Sequence, residues 1–400
     1  MEDKKKIWIV SELFYPDETS SGYYLTEIAK KIAQYQDVNV ICGPLSYEKN
    51  SNLISKQLLP SEINVFRVKV IPLDKNKIIS RIIRLVNLTL SFAFKLLVKV
   101  RKRDNVLLVT NPAFLVPIAT LLSKIIGFNL TILVHDVFPE NLVPINLLNS
   151  KKIPYKLLKY IFDRTYASVN KIIVCGRDME VLFNQKTNFS QKITLIENWS
   201  DIDTIYPSSQ NQQAIYQDLG LKEKIVFQYA GNIGRLQGLE ELISIAASCT
   251  NSNVHFIFIG EGALKKTLQE DVMYRKLTNI SFLPSFSRDQ QNIFLNACNV
   301  GIVSLNDNML GLGVPSKSYN IIAAGKPILF LGNKNSEISL MVCEHNIGWQ
   351  FELSQTKDII DFLNNFSLNQ ATEKGVNARN IAEIKYSKEQ ILEKYMLLLN

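Results

Sequence analysis

Three features of this 400-residue sequence predict an α/β protein of two similar-sized halves, each a parallel sheet with helices between its strands. Short apolar runs such as IWIV and VLLVT alternate with segments of helical spacing along most of the chain. The runs are continuously apolar, as strands covered on both faces are. A polar stretch at 207–222, rich in Gln and Ser, falls near the middle and reads as a linker.

Composition narrows the function. Apolar residues make up 46% and charged residues 20%, which excludes wholesale disorder. The net charge of +8 favours anionic partners: nucleotides, phospholipid or nucleic acid. The five cysteines are far apart with no C-x-x-C pair, so neither a disulfide framework nor a zinc site is indicated. Four of them read as small core residues, and a reducing cytoplasm fits best. No H-E-x-x-H, P-loop, Ser-His-Asp order or diagnostic carboxylate pair occurs. The opening MEDKKKIWIV has too short an apolar core for a signal peptide and reads as a first strand.

In chain order, the first strand at 6–10 leads into a turn-rich loop with Gly22 and a helix, TEIAKKIAQY, the opening of a doubly wound sheet. Gly22 either lets the backbone approach a ligand or simply starts the helix. Strands follow at 38–42 and 64–70. Segment 77–103 carries Lys77, Arg81, Arg84, Lys95, Lys99, Arg101, Lys102 and Arg103 among apolar residues, with no acid before Asp104. Its longest charge-free run, 85–94, is too short to span a bilayer. A basic, apolar helix suits an anionic membrane surface; the alternative is a core helix with a solvated basic end. Segment 106–123 is the longest charge-free stretch, but Asn111, Pro112 and Pro117 favour strand, helix and strand over a spanning helix. His135 and Asp136 then fall at a strand's carboxyl end, where open parallel sheets bind ligands. A helix at 155–169, the strand KIIVCG, a helix, the strand KITLIE and the loop NWSDID complete this half.

The second half alternates IVFQYAG, a helix from Gly238, HFIFIG, a helix from Ala263, ISFLPS, a helix from Arg288, NVGIVSL and PILFLG. A final helix, SKEQILEKYMLLLN, shows apolar residues at helical spacing. The stretch 300–330 reads as strand, glycine loop, helix and strand, with Ser316 capping a helix from Lys317 to 324 and Gly325 ending it. A Ser-Lys pair at a helix start after a glycine loop is a recipe for holding phosphate; the alternative is an ordinary turn whose lysine faces water. The loop after IVFQYAG could aim N–H groups and Arg235 at a phosphate, although its glycines do not space as a dinucleotide fingerprint. IFIGEGALKKTL offers a further G-x-G, with Glu261 able to accept from a sugar hydroxyl. The His135-Asp136 dipeptide is either a reaction-centre pair or a structural one.

Together, IVFQYAGNIGRLQGLEELI, HFIFIGEGALKKTLQ and GVPSKSYNIIAAGKPIL resemble the donor half of glycosyltransferase family 4. KIWIVSELFYPDETSSGYYLTEIAKKIA, HDVFPENL and IENWSD resemble its acceptor half. The nearest branch is the one that adds N-acetylfucosamine-like sugars in bacterial O-antigen and capsule synthesis. The resemblance implies a GT-B fold: two Rossmann-like domains with an interdomain cleft, and a C-terminal helix crossing back to the first domain. It implies an acceptor domain at 1–205, a nucleotide-sugar domain at 206–380 and the returning helix at 381–400. It also implies a nucleotide-sugar donor, UDP-linked with an N-acetylamino sugar, and transfer with retention to a polyprenyl-diphosphate-linked saccharide, with no metal and no cofactor. The enzyme would sit peripherally on the inner face of the plasma membrane, with no nucleic-acid role.

Carried onto this sequence, the resemblance gives catalytic roles to His135, Asp136, Arg235 and Lys317. Donor contacts fall to Gly231, Asn232, Gly234, Gln237, Glu261, Leu283, Gly313, Pro315, Ser316 and Asn320, with the base against 281–284. Acceptor contacts fall to Gly22 and Tyr23. Departures accompany this. The family's Arg and Lys stand here as Asn232 and Gln237, and its two glutamates map to Leu312 and Asn320. These losses keep open a catalytically inactive sugar-nucleotide binder, and a nucleotide-sugar 2-epimerase shares the fold.

Overall fold

A computed structural model describes residues 5–45, 59–71, 78–188, 190–209, 215–216 and 219–399. The chain forms two compact units, one of Met1–Ile196 with Leu392–Asn400, the other of Glu197–Ile391.

The first unit is one parallel sheet with helical crossovers. Its elements are β1 (Ile7–Ser11), α1 (Ser20–Ala33), β2 (Val38–Cys42), β3 (Ile63–Arg67), α2 (Ile78–Lys99), β4 (Asn105–Val109), α3 (Leu115–Ile126), β5 (Asn129–Val134), α4 (Ile153–Ser168), β6 (Lys171–Val174), α5 (Arg177–Thr187) and β7 (Ile193–Leu195). The strand order is β3-β2-β1-β4-β5-β6-β7, all parallel. Strands β1, β2 and β4 are buried almost throughout, which is why they read as unbroken apolar runs. The order reverses between β1 and β4, so their following loops diverge at the carboxyl edge, where such sheets hold ligands.

The second unit repeats the plan: β8 (Ile225–Ala230), α6 (Leu239–Ser248), β9 (Val254–Ile259), α7 (Lys265–Tyr274), β10 (Ile280–Leu283), α8 (Gln291–Asn296), β11 (Val300–Ser304), α9 (Lys317–Ala323), β12 (Ile328–Leu331), α10 (Glu337–Glu344), β13 (Gly348–Phe351), α11 (Thr356–Asn364) and α12 (Leu368–Ile384). The order β10-β9-β8-β11-β12-β13 reverses between β8 and β11. Successive strand residues point to opposite faces and feed two cores: Val226 and Ile257 join one, Phe227 and Phe256 the other. The last helix, α13 (Lys388–Leu399), begins in the second unit and ends in the first. Within the first unit, Glu393 pairs with Lys31 at 2.7 Å, and the Leu399 carbonyl accepts from Asn105 Nδ2 at 3.1 Å.

Several expectations are corrected. Helix α1 starts at Ser20, ahead of TEIAKKIAQY, because Thr19 caps it by accepting from the Gly22 amide at 3.3 Å. Helix α2 ends at Lys99, short of 103. The Arg101 guanidinium donates to the Val98 carbonyl at 2.8 Å, and Asp104 accepts from the Arg101 amide at 2.9 Å, so 101–103 form a turn. Lys77 lies outside the described residues, as do 210–214, 217 and 218 of the 207–222 stretch. Segment 106–123 divides into β4 and α3, and no helix among the described residues is long and apolar enough to cross a membrane. Four cysteines serve the cores, as expected: Cys42, Cys175 and Cys298 are buried, Cys249 is half-buried against a core of the second unit, and Cys343 is exposed.

Candidate functional site

In the second unit, the loops after β8 and β11 meet at the reversal of strand order. Gly231 follows β8 with φ +146°, and a Cβ built on it would lie 3.0 Å from Lys317 Nζ. The bare glycine therefore makes room for the lysine, which reaches back from the start of α9. Lys317 Nζ lies 3.7 Å from the centroid of the Tyr229 ring. The residue as a whole is half-buried, but the ammonium itself has essentially no accessible surface and no hydrogen-bond partner among the described residues. Desolvation lowers its pKa to about 7. A ring face compensates such a charge only in part, and an anion would do so better. The Tyr229 hydroxyl donates to the Asn232 carbonyl at 2.7 Å and holds the loop in place.

The glycines of G-E-G allow a close approach of two loops. A Cβ at Gly260 would lie 1.9 Å from the Gly231 carbonyl oxygen, and one at Gly262 would lie 2.2 Å from that of Ile233. Both φ values are positive, +141° and +159°. They let 260–262 run against 231–233, where Ile233 donates to Glu261 and Leu264 donates to Ile233. From the β11 side, Asn306 donates from its amide to the Leu236 carbonyl and from Nδ2 to the Arg235 carbonyl at 3.1 Å. The ends of three strands, β8, β9 and β11, thus hold the backbone of 231–238.

The side chains at this place are unequal in their engagement. Asn232 and Arg235 are exposed, and among the described residues no ion pair or hydrogen bond takes the Arg235 guanidinium. No described contact joins Arg235 to Lys317. Gly234 is buried between Asn232 and Gln237, and Gln237 Oε1 is buried without a hydrogen-bond partner among the described residues. Glu261 is exposed and pairs with Lys265 at 2.7 Å. Leu283, Gly313, Pro315, Ser316 and Asn320 are half-buried. Leu312 is buried and apolar, so it cannot replace a carboxylate. Ser281 Oγ lies 2.9 Å from His255 Nε2.

Ser316 does not cap the helix as expected. It adopts helical φ and ψ and makes no capping hydrogen bond. The Ser318 and Tyr319 amides already donate to the Pro315 and Ser316 carbonyls. Charge at this helix start therefore comes mainly from Lys317, and less from free N–H groups. The other end of α9 is anchored by Arg379, whose guanidinium donates to the carbonyls of Ala323 at 2.7 Å and Ile205 at 2.8 Å.

In the first unit, the β5 end carries His135 and Asp136, whose amides both donate to Thr110 Oγ1 at 3.3 Å. The described partner of His135 is Ser21, with Nδ1 to Oγ 3.1 Å, rather than Asp136. Burial pushes the imidazole pKa down to about 4, so the ring is neutral at pH 7. Asp136 is exposed as a residue, yet partial burial of its carboxyl raises its pKa. Gly22 is buried and packs on the loop before it: a Cβ there would lie 2.6 Å from the Asp17 carbonyl oxygen. This packing gives Gly22 a helix-start role. Tyr23 is half-buried, edge-on to Tyr24. Glu140 is engaged by Lys159 and Lys186, and Asp163 by the same two lysines, which pins the 135–142 loop to α4 and α5. Sequence spacing gave no signal for Ser21, Thr110 or the links of Glu140 to Lys159 and Lys186, because these partners are remote along the chain; only Lys159 and Asp163 stand four apart on one helix. No cluster of three His, Cys, Asp or Glu able to hold a metal ion occurs among the described residues.

Residues 211–383 match the family model described as glycosyl transferases group 1. The probable glycosyltransferase WbjE of Pseudomonas aeruginosa is 33% identical over 390 residues, which covers 98% of this chain and 96% of WbjE. The chain belongs to the group 1 glycosyltransferases. A second relative of this glycosyltransferase, the putative colanic acid biosynthesis glycosyl transferase WcaI of Escherichia coli strain K12, is 24% identical over 350 residues, covering 85% and 86% of the two chains. In fold the glycosyltransferase is similar to Anabaena HepE, solved in complex with UDP and glucose. The TM-score is 0.74 at 17% identity, with 99% of each chain covered. The two parallel sheets with flanking helices are those of GT-B glycosyltransferases.

Proposed function

We propose that this glycosyltransferase is a retaining enzyme of family 4 type. It moves a sugar from a nucleotide-sugar donor, a UDP-N-acetylamino sugar, to a polyprenyl-diphosphate-linked saccharide in O-antigen, capsule or exopolysaccharide synthesis. One observation carries the donor side: the buried, unpaired Lys317 ammonium beside the bare backbone of Gly231. A diphosphate supplies the negative charge this group lacks, and the exposed Arg235 on the same loop reaches it from solvent. The name WcaI and the UDP and glucose held by HepE support polysaccharide synthesis and a UDP-linked donor.

As the sugar's anomeric C–O bond breaks, Lys317 and Arg235 stabilise charge on the departing diphosphate. The acceptor hydroxyl gives its proton to a phosphate oxygen of that leaving group as the new C–O bond forms. Neutral His135 and Asp136 orient the transferred sugar or the acceptor hydroxyl; at pH 7 the imidazole has no proton to give as a cation. Glu261 and Asn320 contact the donor. The acceptor lies at the inner face of the plasma membrane, where the enzyme binds peripherally. The test is incubation with a panel of nucleotide sugars and a polyprenyl-diphosphate saccharide. Transfer with an unchanged anomeric configuration supports the proposal. An isomerised donor points to a 2-epimerase. Binding without turnover, which the substitutions at Asn232, Gln237 and Leu312 favour, points to an inactive binder.

A further inference from the structure

Helix α2 is apolar on both sides. Leu88, Phe92 and Leu96 face the core, while Ile82, Val86, Leu90, Phe94 and Leu97 recur at helical spacing on the exposed side, Phe94 at 64% exposure. A water-facing helix side of this kind is normally polar. Helix α3 packs against α2, and α4 packs against α3. Both neighbours repeat the anomaly: Leu121 and Ile125 are exposed on α3, and Ile153, Leu157 and Tyr160 on α4, with Ile125 at 68%. Scattered exposed apolar residues need no explanation, but three adjoining helices of them mark an interaction surface. Charge names the partner. Helices α2 and α3 contain no acidic residue, and the one acid of α4, Asp163, is neutralised by Lys159 and Lys186. Lys124, Lys152 and Lys156 stand exposed among the apolar side chains.

We propose that α2, α3 and α4 form one docking face for an anionic lipid bilayer, apolar side chains entering the interface and lysines meeting headgroup phosphates. This widens a single-helix membrane contact to a three-helix face. The face is also tied to the reaction loop: the Phe138 ring meets Phe114 before α3 at 5.3 Å and Phe162 of α4 at 4.7 Å, and Phe138 lies two residues beyond Asp136. On the lipid-linked acceptor reading above, docking brings that loop to the bilayer.

The test is sedimentation of the full chain with phosphatidylcholine vesicles containing phosphatidylglycerol, without donor or acceptor, so its result is independent of whether transfer occurs. Wild type pellets, and less with phosphatidylcholine alone. Ile125→Glu with Leu157→Glu, and separately Val86→Glu with Leu90→Glu, each lower the partition coefficient at least about tenfold. Ile125→Ser with Leu157→Ser gives an intermediate loss, and circular dichroism melts of all variants match wild type. Wild type left in the supernatant overturns the proposal. So does an α3–α4 acidic pair that still pellets fully. Concentration-dependent self-association that these substitutions abolish, with no vesicle binding, would overturn it in favour of a second copy of the chain.

Discussion

At Lys317 and at His135 burial opposes the charged form of the side chain. The signs give different pH windows. The folded pKa of Lys317, about 7, lies below the unfolded value of 10.5. Between those values the unfolded chain binds a proton that the folded chain does not, so this group's contribution to stability falls as pH drops from 10.5 to 7 and is flat below. Lys317→Met removes the penalty, and the substitution should stabilise the fold at pH 7 by about 1–2 kcal/mol, read as a higher Tm in calorimetry. For His135 the window is 6.5 down to about 4: stability is lost as the pH falls through it. The urea midpoint should therefore drop between pH 7 and pH 5, and His135→Asn should reduce that drop by about 1 kcal/mol. Both residues were legible in the sequence, one after a glycine loop and the other at a strand end. Ser21 was not, because it meets His135 across 114 positions of chain.

At the scale of elements, close backbone contact decides the shape of the donor loop. Gly260→Ala forces a Cβ against the Gly231 carbonyl at a positive φ, so it should cost about 2–4 kcal/mol in a denaturant titration. Arg379→Met leaves the Ala323 and Ile205 carbonyls without their described side-chain donor and should cost about 2–3 kcal/mol, loosening the helix that carries Lys317. The strands were legible because burial on both faces writes them as continuous apolar runs. The end of α2 was not, because Arg101 continues the basic pattern while its guanidinium closes the helix. Helix α12 escaped for a different reason: it buries Ala371, Gly375, Ala378 and Ala382, a stripe too small to register as apolar periodicity. Strand β13 is four half-buried residues with no run to read.

At the scale of the whole chain, α13 completes the first unit's core from the far end of the sequence. Leu392, Tyr395, Met396 and Leu399 are buried, and Lys171 donates to the Leu398 carbonyl. Deleting 392–400 should lower the melting temperature of the first unit's transition by about 4 °C or more, with less effect on the second unit. The central claim concerns the second unit: that Lys317 beside Gly231 is a diphosphate site. Calorimetric titration of UDP into wild type and Lys317→Met tests it most directly. The account predicts saturable binding by wild type and an affinity at least about tenfold lower in the variant, since a charge-assisted hydrogen bond is lost. Equal affinity in the two proteins, or no binding of UDP or any other nucleoside diphosphate by wild type, would contradict it.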